Sequence, residues 1–430
     1  MKKLFIFVSA VFTSFACQDE VIERYKVQEP VYMSYADLRQ AVKTKSASEQ
    51  EFKNPGKIYY WNNYLFVNEA GKGIHVIDDS DPANPVFKTF INIPGNVDMA
   101  IKDAVLYADS YVDLVAIDIS DMNNINEIAR LDSIFPYIVP DLVSQYPMGQ
   151  VDTKKGVVLG YQEVYVEQEL YKVETNYYPR YALDKKMISS EMSWSGGVTS
   201  NSSGTGSGSG IGIGGSMARF TIAENALYAI NQNSQILIFN IEQDDTLKKV
   251  GELTVSWGIE TLFPYNGKLF IGSQTGMIIY DLANPFQPQF ITNYQHVRSC
   301  DPVVVDGDFA YITLRTGTRC FGNINRLDIV NISNISAPYE IKTYDMTNPH
   351  GLGIDSSTLF LCDGEAGLKI FDVTDKTKLH ENMIAQYPEN KAFDVIPLGG
   401  VLLMVGEKGL YQYDYNNLQE IKLLSKIEIQ

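Results

Sequence analysis

Along most of this chain, short apolar and β-branched runs alternate with polar turns at a repeat of about 40 residues. Seven stretches share one form: an apolar run, then Asp or Asn, then a polar turn that often ends in Pro. They are GIHVIDDSDPANP from Gly73, DLVAIDISDMNNI from Asp113, QILIFNIEQDDTL from Gln235, GMIIYDLANPFQP from Gly276, RLDIVNISNISAP from Arg326, GLKIFDVTDKTKL from Gly367 and GLYQYDYNNLQEI from Gly409. Their anchors are Asp78, Asp118, Asn240, Asp281, Asn331, Asp372 and Asp414. The unit from Asn96 shows the plan. NVDMAI, VLYADS, LVAIDIS and EIARLDSI read as four strands separated by polar turns. Asn-Gly, Asp-Gly and Asp-Ser pairs between the first two strands of other units are hairpin turns.

This pattern predicts an all-β chain folded as a single β-propeller of four-stranded antiparallel blades. The segment from Gly149 to Trp194 lacks the signature but reads as strand, Lys-Gly turn, strand, turn, strand. Counted as a degenerate third repeat, it gives eight blades. Counted as an insertion, it leaves seven. The propeller is expected over 56–430, with a Gly/Ser-rich insertion at 195–216. Residues 18–55 read as a tether carrying one short helix around Ala36 to Lys43. The insertion, SGGVTSNSSGTGSGSGIGIGGS, lacks the Lys-Ser/Thr ending of a phosphate-binding loop and precedes a strand, so it reads as a flexible loop.

The VIDxSDPxNP-type repeats resemble the LVIVD-repeat family of bacterial surface lipoproteins. The similarity is especially close in SCDPVVVDGDFAYITLRTGTRCFGN, NPHGLGID and LFLCDGEAGLKIFD. The resemblance implies a propeller and an exported protein; it implies no catalytic residues. The N-terminus agrees. Met1-Lys2-Lys3, an apolar run from Leu4 to Phe12 and a small-residue end at Cys17 form a signal peptide over 1–17. Cys17 resembles the lipidated Cys of a lipobox, although Ser14 stands where that motif has Leu. Gln18-Asp19-Glu20 resembles the acidic tag of surface-exposed lipoproteins of the Bacteroidetes. The expected location is therefore the outer membrane, on the cell-surface side, with the periplasmic side as the alternative. Contact with the membrane is through the lipid anchor only.

Composition refines this picture. The 430 residues are 45% hydrophobic and 20% charged, which is globular, and 27 are Tyr, which favours strands. A net charge of -17 argues against nucleic acid as a partner. Export allows disulfides. Cys300 and Cys320 flank one hairpin and are the expected pair, whereas Cys362 sits in the apolar run TLFLC and reads as a buried free thiol.

Aligned on their anchors, the repeats expose two rings of side chains. The first, about 20 residues upstream where strand one opens into the channel, reads Asp98, Asp152, Met217, Glu260, Asp301, His350 and Asp394. The second, after strand two, reads Glu69, Asp109, Glu163, Gln274, Arg315, Asp363 and Glu407. Together they predict a largely acidic mouth. Such a mouth favours a divalent cation or the cationic group of a ligand, with no cofactor otherwise required. The candidate ligand-binding residues are Asp98, Asp152, Glu260, Arg298, Asp301, Arg315, His350 and Asp394. The competing reading is that the acids accept backbone hydrogen bonds or pair with Arg219, Arg298 and Arg315. No Ser-His-Asp order, GxSxG or HExxH is present. The expected function is a non-catalytic binding or scaffolding module whose partner is a surface or periplasmic protein or a cationic small ligand. The alternative is a lyase or hydrolase using the carboxylates, arginines and His350 of the same mouth.

Overall fold

In every blade the strand-three run is largely buried on both faces, because it is sandwiched between the neighbouring blades. GIHVID, for example, is buried at five of its six positions. A computed structural model describes residues 22–46, 50–142, 144–169, 210–242, 247–256, 258–296, 302–316 and 324–429. Seven four-stranded antiparallel blades are built from 55–92, 99–131, 220–254, 259–295, 303–345, 352–387 and 392–428. Each runs in chain order from an inner strand to an outer strand. Among the described residues five buried apolar clusters lie between blades, and the last joins blades 7 and 1 through Ile396, Leu403, Val405, Leu410, Phe52, Ile58 and Leu65. The ring therefore closes by side-chain packing, without a strand shared between its first and last blades.

The anchor residues make the repeat regular. All seven accept a hydrogen bond on the side-chain oxygen from the backbone N–H two residues on, as at Asp78 to Ser80 (3.1 Å) and Asn331 to Ser333 (3.0 Å). Asp and Asn serve this turn equally, so the two Asn departures change nothing. Three residues later a second Asp or Asn repeats the device in six blades, for instance Asp81 to Ala83 and Asn284 to Phe286. The outer strand then bulges by one residue in all seven blades, as at Lys88 between Thr89 and Phe87. Asn62-Asn63, Asp103-Ala104 and Asn266-Gly267 turn the first hairpins with positive φ at both positions, as the strand twist requires.

The eight-blade expectation is corrected to seven. Residues 149–169 build no blade. Val157–Glu169 pairs along its length with Ile22–Met33 as a two-stranded ribbon. This ribbon belongs to a compact unit of its own, 1–33 with 139–191. The β-branched and aromatic residues of VVLGYQEVYVEQE suit a two-stranded ribbon as well as a blade, and Lys26 pairs with Glu163 across it. The stretch 18–55 also carries a helix at Tyr35–Leu38, capped by Ser34, and the strand Lys43–Lys45 on the outer edge of blade 1. Cys17, Cys300, Cys320, Arg298 and Asp301 lie outside the described residues. Cys362 is a buried free thiol.

Candidate functional site: the channel and its mouth

The last residues of the Gly/Ser-rich segment are built into the propeller. Ile213–Gly214 pairs antiparallel with Tyr60 and Tyr59 on the inner edge of blade 1. Gly212 N–H donates to Ile101 O (2.9 Å), and Asp103 N–H donates to Gly210 O (2.9 Å). Farther on, Ser216 Oγ accepts from Leu352 N–H of blade 6 (3.2 Å), and Lys57 Nζ donates to Met217 O. Residues 210–217 thus run from the inner strands of blades 1 and 2 to that of blade 6, and they occupy the channel. Glycine is required here by space. A Cβ on Gly212 would stand 2.4 Å from Tyr59 Cε1 and one on Gly214 2.6 Å from Tyr59 Cε2. At 210–216, the end of the stretch read as a flexible loop, the chain is a clasp around the Tyr59 ring.

Around this stopper lies the first ring, and strand pairing fixes its register. Lys57, Asp98, Arg219, Thr261, Gly351 and Asp394 each precede the residue paired to the fourth position of strand two in their blade. Blades 7, 1, 2 and 3 therefore present Asp394, Lys57, Asp98 and Arg219, alternating in sign. Lys57 and Arg219 escaped the sequence alignment because the first ring was read only from Asp98 onward and its blade 3 position fell on Met217, two residues before Arg219. Asp98 Oδ2 accepts from Arg219 N–H (2.7 Å), and its Oδ1 from Met99 N–H (2.8 Å). Asp394 Oδ1 accepts from Val395 N–H (2.7 Å), while its buried Oδ2 has no hydrogen-bond partner. Burial raises the pKa of both acids, Lys57 opposing it, and burial lowers that of Lys57, the two acids opposing it.

Glu260 and His350 sit one residue earlier in register, on blades 4 and 6. They form a second group with Arg315. Gln274 Nε2 donates to Glu260 Oε1 (3.1 Å), and Arg315 Nη1 donates to His350 Nδ1 (3.1 Å). Asp152 is not on a blade. It stands in the ribbon unit, where its Oδ1 accepts from Lys154 N–H (3.0 Å).

The second ring divides. Glu69 accepts from Lys53 and Asn54 N–H, Asp109 from Val97 and Asp98 N–H, and Asp363 from Thr347 and Asn348 N–H. These acids latch the start of the inner strand to the end of strand two in blades 1, 2 and 6. Glu163 lies in the ribbon unit. Arg315 and Glu407 instead line an open cleft of about 440 Å³ with Lys53, His350, Lys391 and Phe393. Among the described residues no three His, Cys, Asp or Glu converge as metal ligands.

Blades, channel and closure define a seven-bladed β-propeller. The LVIVD-repeat profile matches 58–92, within blade 1, and 298–346, around blade 5, so LVIVD repeats form part of this β-propeller. No curated protein sequence matches it. Among solved structures it is similar to the periplasmic gluconolactonase of Pseudomonas aeruginosa, with a TM-score of 0.52, 10% identity, and 87% of this chain and 96% of that one covered. It is also similar to BamB of Moraxella catarrhalis (TM-score 0.45, 8% identity, 86% and 96% covered) and to Hsv2 of Kluyveromyces lactis (0.48, 10%, 87% and 100%). At such identities the likeness is one of fold alone.

Proposed function

We propose that this propeller is a non-catalytic binding or scaffolding module of the cell envelope, tethered by a lipidated Cys17, with its ligand at the mouth cleft. One observation carries the reading: residues 210–217 line the inner strands of blades 1, 2 and 6, while the cleft over blades 5, 6, 7 and 1 stays open. Catalysis in the channel would need exposed, competent carboxylates. Asp98 and Asp394 are instead buried and bonded to backbone N–H groups. A cleft of about 440 Å³ is of small-molecule size.

Thermal melts with a panel of anionic, neutral and cationic small molecules test the binding role. A ligand that stabilises the fold and is recovered unchanged supports it. A ligand that is consumed, with loss of turnover in His350→Asn, transfers the protein to the enzyme class. The anchor is tested separately. Cys17→Ala is expected to move the protein from the membrane fraction to the soluble fraction, and unchanged partitioning would remove the lipoprotein assignment.

A further inference from the structure

Resting on the binding reading and deepening it, we propose that the mouth cleft takes a small organic carboxylate, held by Arg315 and the Nε2–H of His350, with its apolar body against Phe393. Four observations support the assignment.

The first is the sign of the cleft. Among the described residues that line this opening, Lys53, Arg315 and Lys391 stand with one carboxylate, Glu407, and Glu260 acts on Arg315 from beside it. Lys391 is shared between Glu365 (3.2 Å) and Glu407 (3.8 Å), and Lys53 pairs with Glu51 (2.6 Å). These contacts are solvent-exposed and exchange readily for a ligand anion.

The second is a broken repeat. At the end of strand two, blades 1, 2 and 6 carry an acid that latches backbone amides. Blade 5 places Arg315 at the corresponding turn, and a guanidinium cannot accept those bonds. It reaches to the next blade instead, to His350. The latch is thus kept in blades 1, 2 and 6, while blade 5 turns the same position into a cation bridging two blades beside the cleft.

The third is an orphan donor. An Arg only donates, so His350 Nδ1 is the acceptor of the 3.1 Å bond and the ring proton resides on Nε2. Burial and the neighbouring Arg315 lower the His350 pKa to about 3, so the ring is neutral across the physiological range. The residue is 4% exposed, and its Nε2 has no hydrogen-bond partner. A buried N–H without an acceptor costs roughly 1–3 kcal/mol. An incoming oxygen removes that cost.

The fourth is the rest of the lining. Pro55, Phe393 and Ile429 supply apolar wall, so a bare inorganic anion would leave much of the cleft empty. A carboxylate with an aromatic or aliphatic body fills both halves.

The test uses the full chain and three probes, acetate, benzoate and N-acetylphenylalanine, with N-acetylphenylalaninamide as the neutral isostere. Calorimetry is expected to show N-acetylphenylalanine binding at least about tenfold more tightly than its amide, since charge-assisted bonds are the stronger kind. The His350 Nε2–H resonance should shift on binding, which a purely structural histidine would not show. Arg315→Gln should weaken binding about tenfold. If that variant fails to fold, Lys391→Gln, at the cleft rim, serves as the second and should weaken binding to a lesser degree. Equal affinity for acid and amide overturns the proposal, as does no response to any probe at about 10 mM. Tight binding of a neutral or cationic molecule in this cleft would also overturn it while leaving the binding module intact. Consumption of a probe would remove the binding reading itself.

Discussion

Single side chains account for most of the regularity of this propeller, and the acids of the mouth divide by what they accept. Asp363 is fully buried, takes two backbone amides on Oδ1 and meets Lys369 Nζ at 2.6 Å on Oδ2. Its removal strands three donors at once. Asp363→Ala should therefore cost about 3 kcal/mol or more in chemical denaturation. Asp363→Asn, which keeps one acceptor, should cost less. A loss under about 0.5 kcal/mol for the Ala variant, typical of surface positions, would show that the latch is not structural. The sequence marked all these acids by position but could not separate a latch from a ligand site. That difference depends on which backbone amides lie within reach, and it appears only once the strands are paired.

Elements carry the next level of meaning, and here glycine placement is informative. Gly73, Gly276, Gly367 and Gly409 open strand three in four blades, and a Cβ at each would lie 1.9–2.3 Å from a carbonyl oxygen of the outer strand. The repeat's leading Gly was legible in the sequence, whereas its cause, a close strand crossing, was not. The channel segment offers the sharper test. Gly212→Val forces a side chain into Tyr59 and the Tyr60 carbonyl, so the segment should leave its place while the blades remain folded. Limited proteolysis should then cut near 210–217 much faster than in the parent protein, with a stability loss of about 1–3 kcal/mol. Equal cleavage rates in both proteins would refute the clasp. Composition alone suggested a loose linker because the Gly-Ser run has no period. The pairing of Ile213 with Tyr60 is a non-local contact that no window of sequence contains.

On the scale of the whole molecule, the seam between blades 7 and 1 sets the behaviour. The seven anchors match the seven blades, and the expected eighth came from counting 149–194, which has no anchor, as a degenerate repeat. Across the seam Gln412 Nε2 donates to Asp79 Oδ1 at 2.6 Å, yet Asp79 Oδ2 and Gln412 Oε1, both buried, lack partners. Burial raises the Asp79 pKa to about 6, with Asp78 and Asp81 adding to the effect and the Gln412 bond opposing it. A raised acid contributes stability below its unfolded value of about 3.9 and loses that contribution as pH climbs through about 6. Other acids, such as Asp78 and Asp372, are lowered and act in the opposite direction. The comparison must therefore be between variant and parent. Asp79→Asn supplies a permanent N–H pair where the acid needs a proton. It should melt higher than the parent at pH 7.5 and show a smaller advantage at pH 4.5. An advantage that does not change with pH would exclude Asp79 as the titrating group.

Because the four core strands of each blade come from one stretch of chain, the two ends of the ring meet at the cleft, which Pro55 and Ile429 both line. In genetic terms the protein is a string of whole cassettes. A short linker could join those ends and new termini could be opened between two blades without dividing the four core strands of any blade. An in-frame duplication of one repeat would likewise add a finished blade, so the ring can gain or lose members by recombination in steps that each leave every sheet complete.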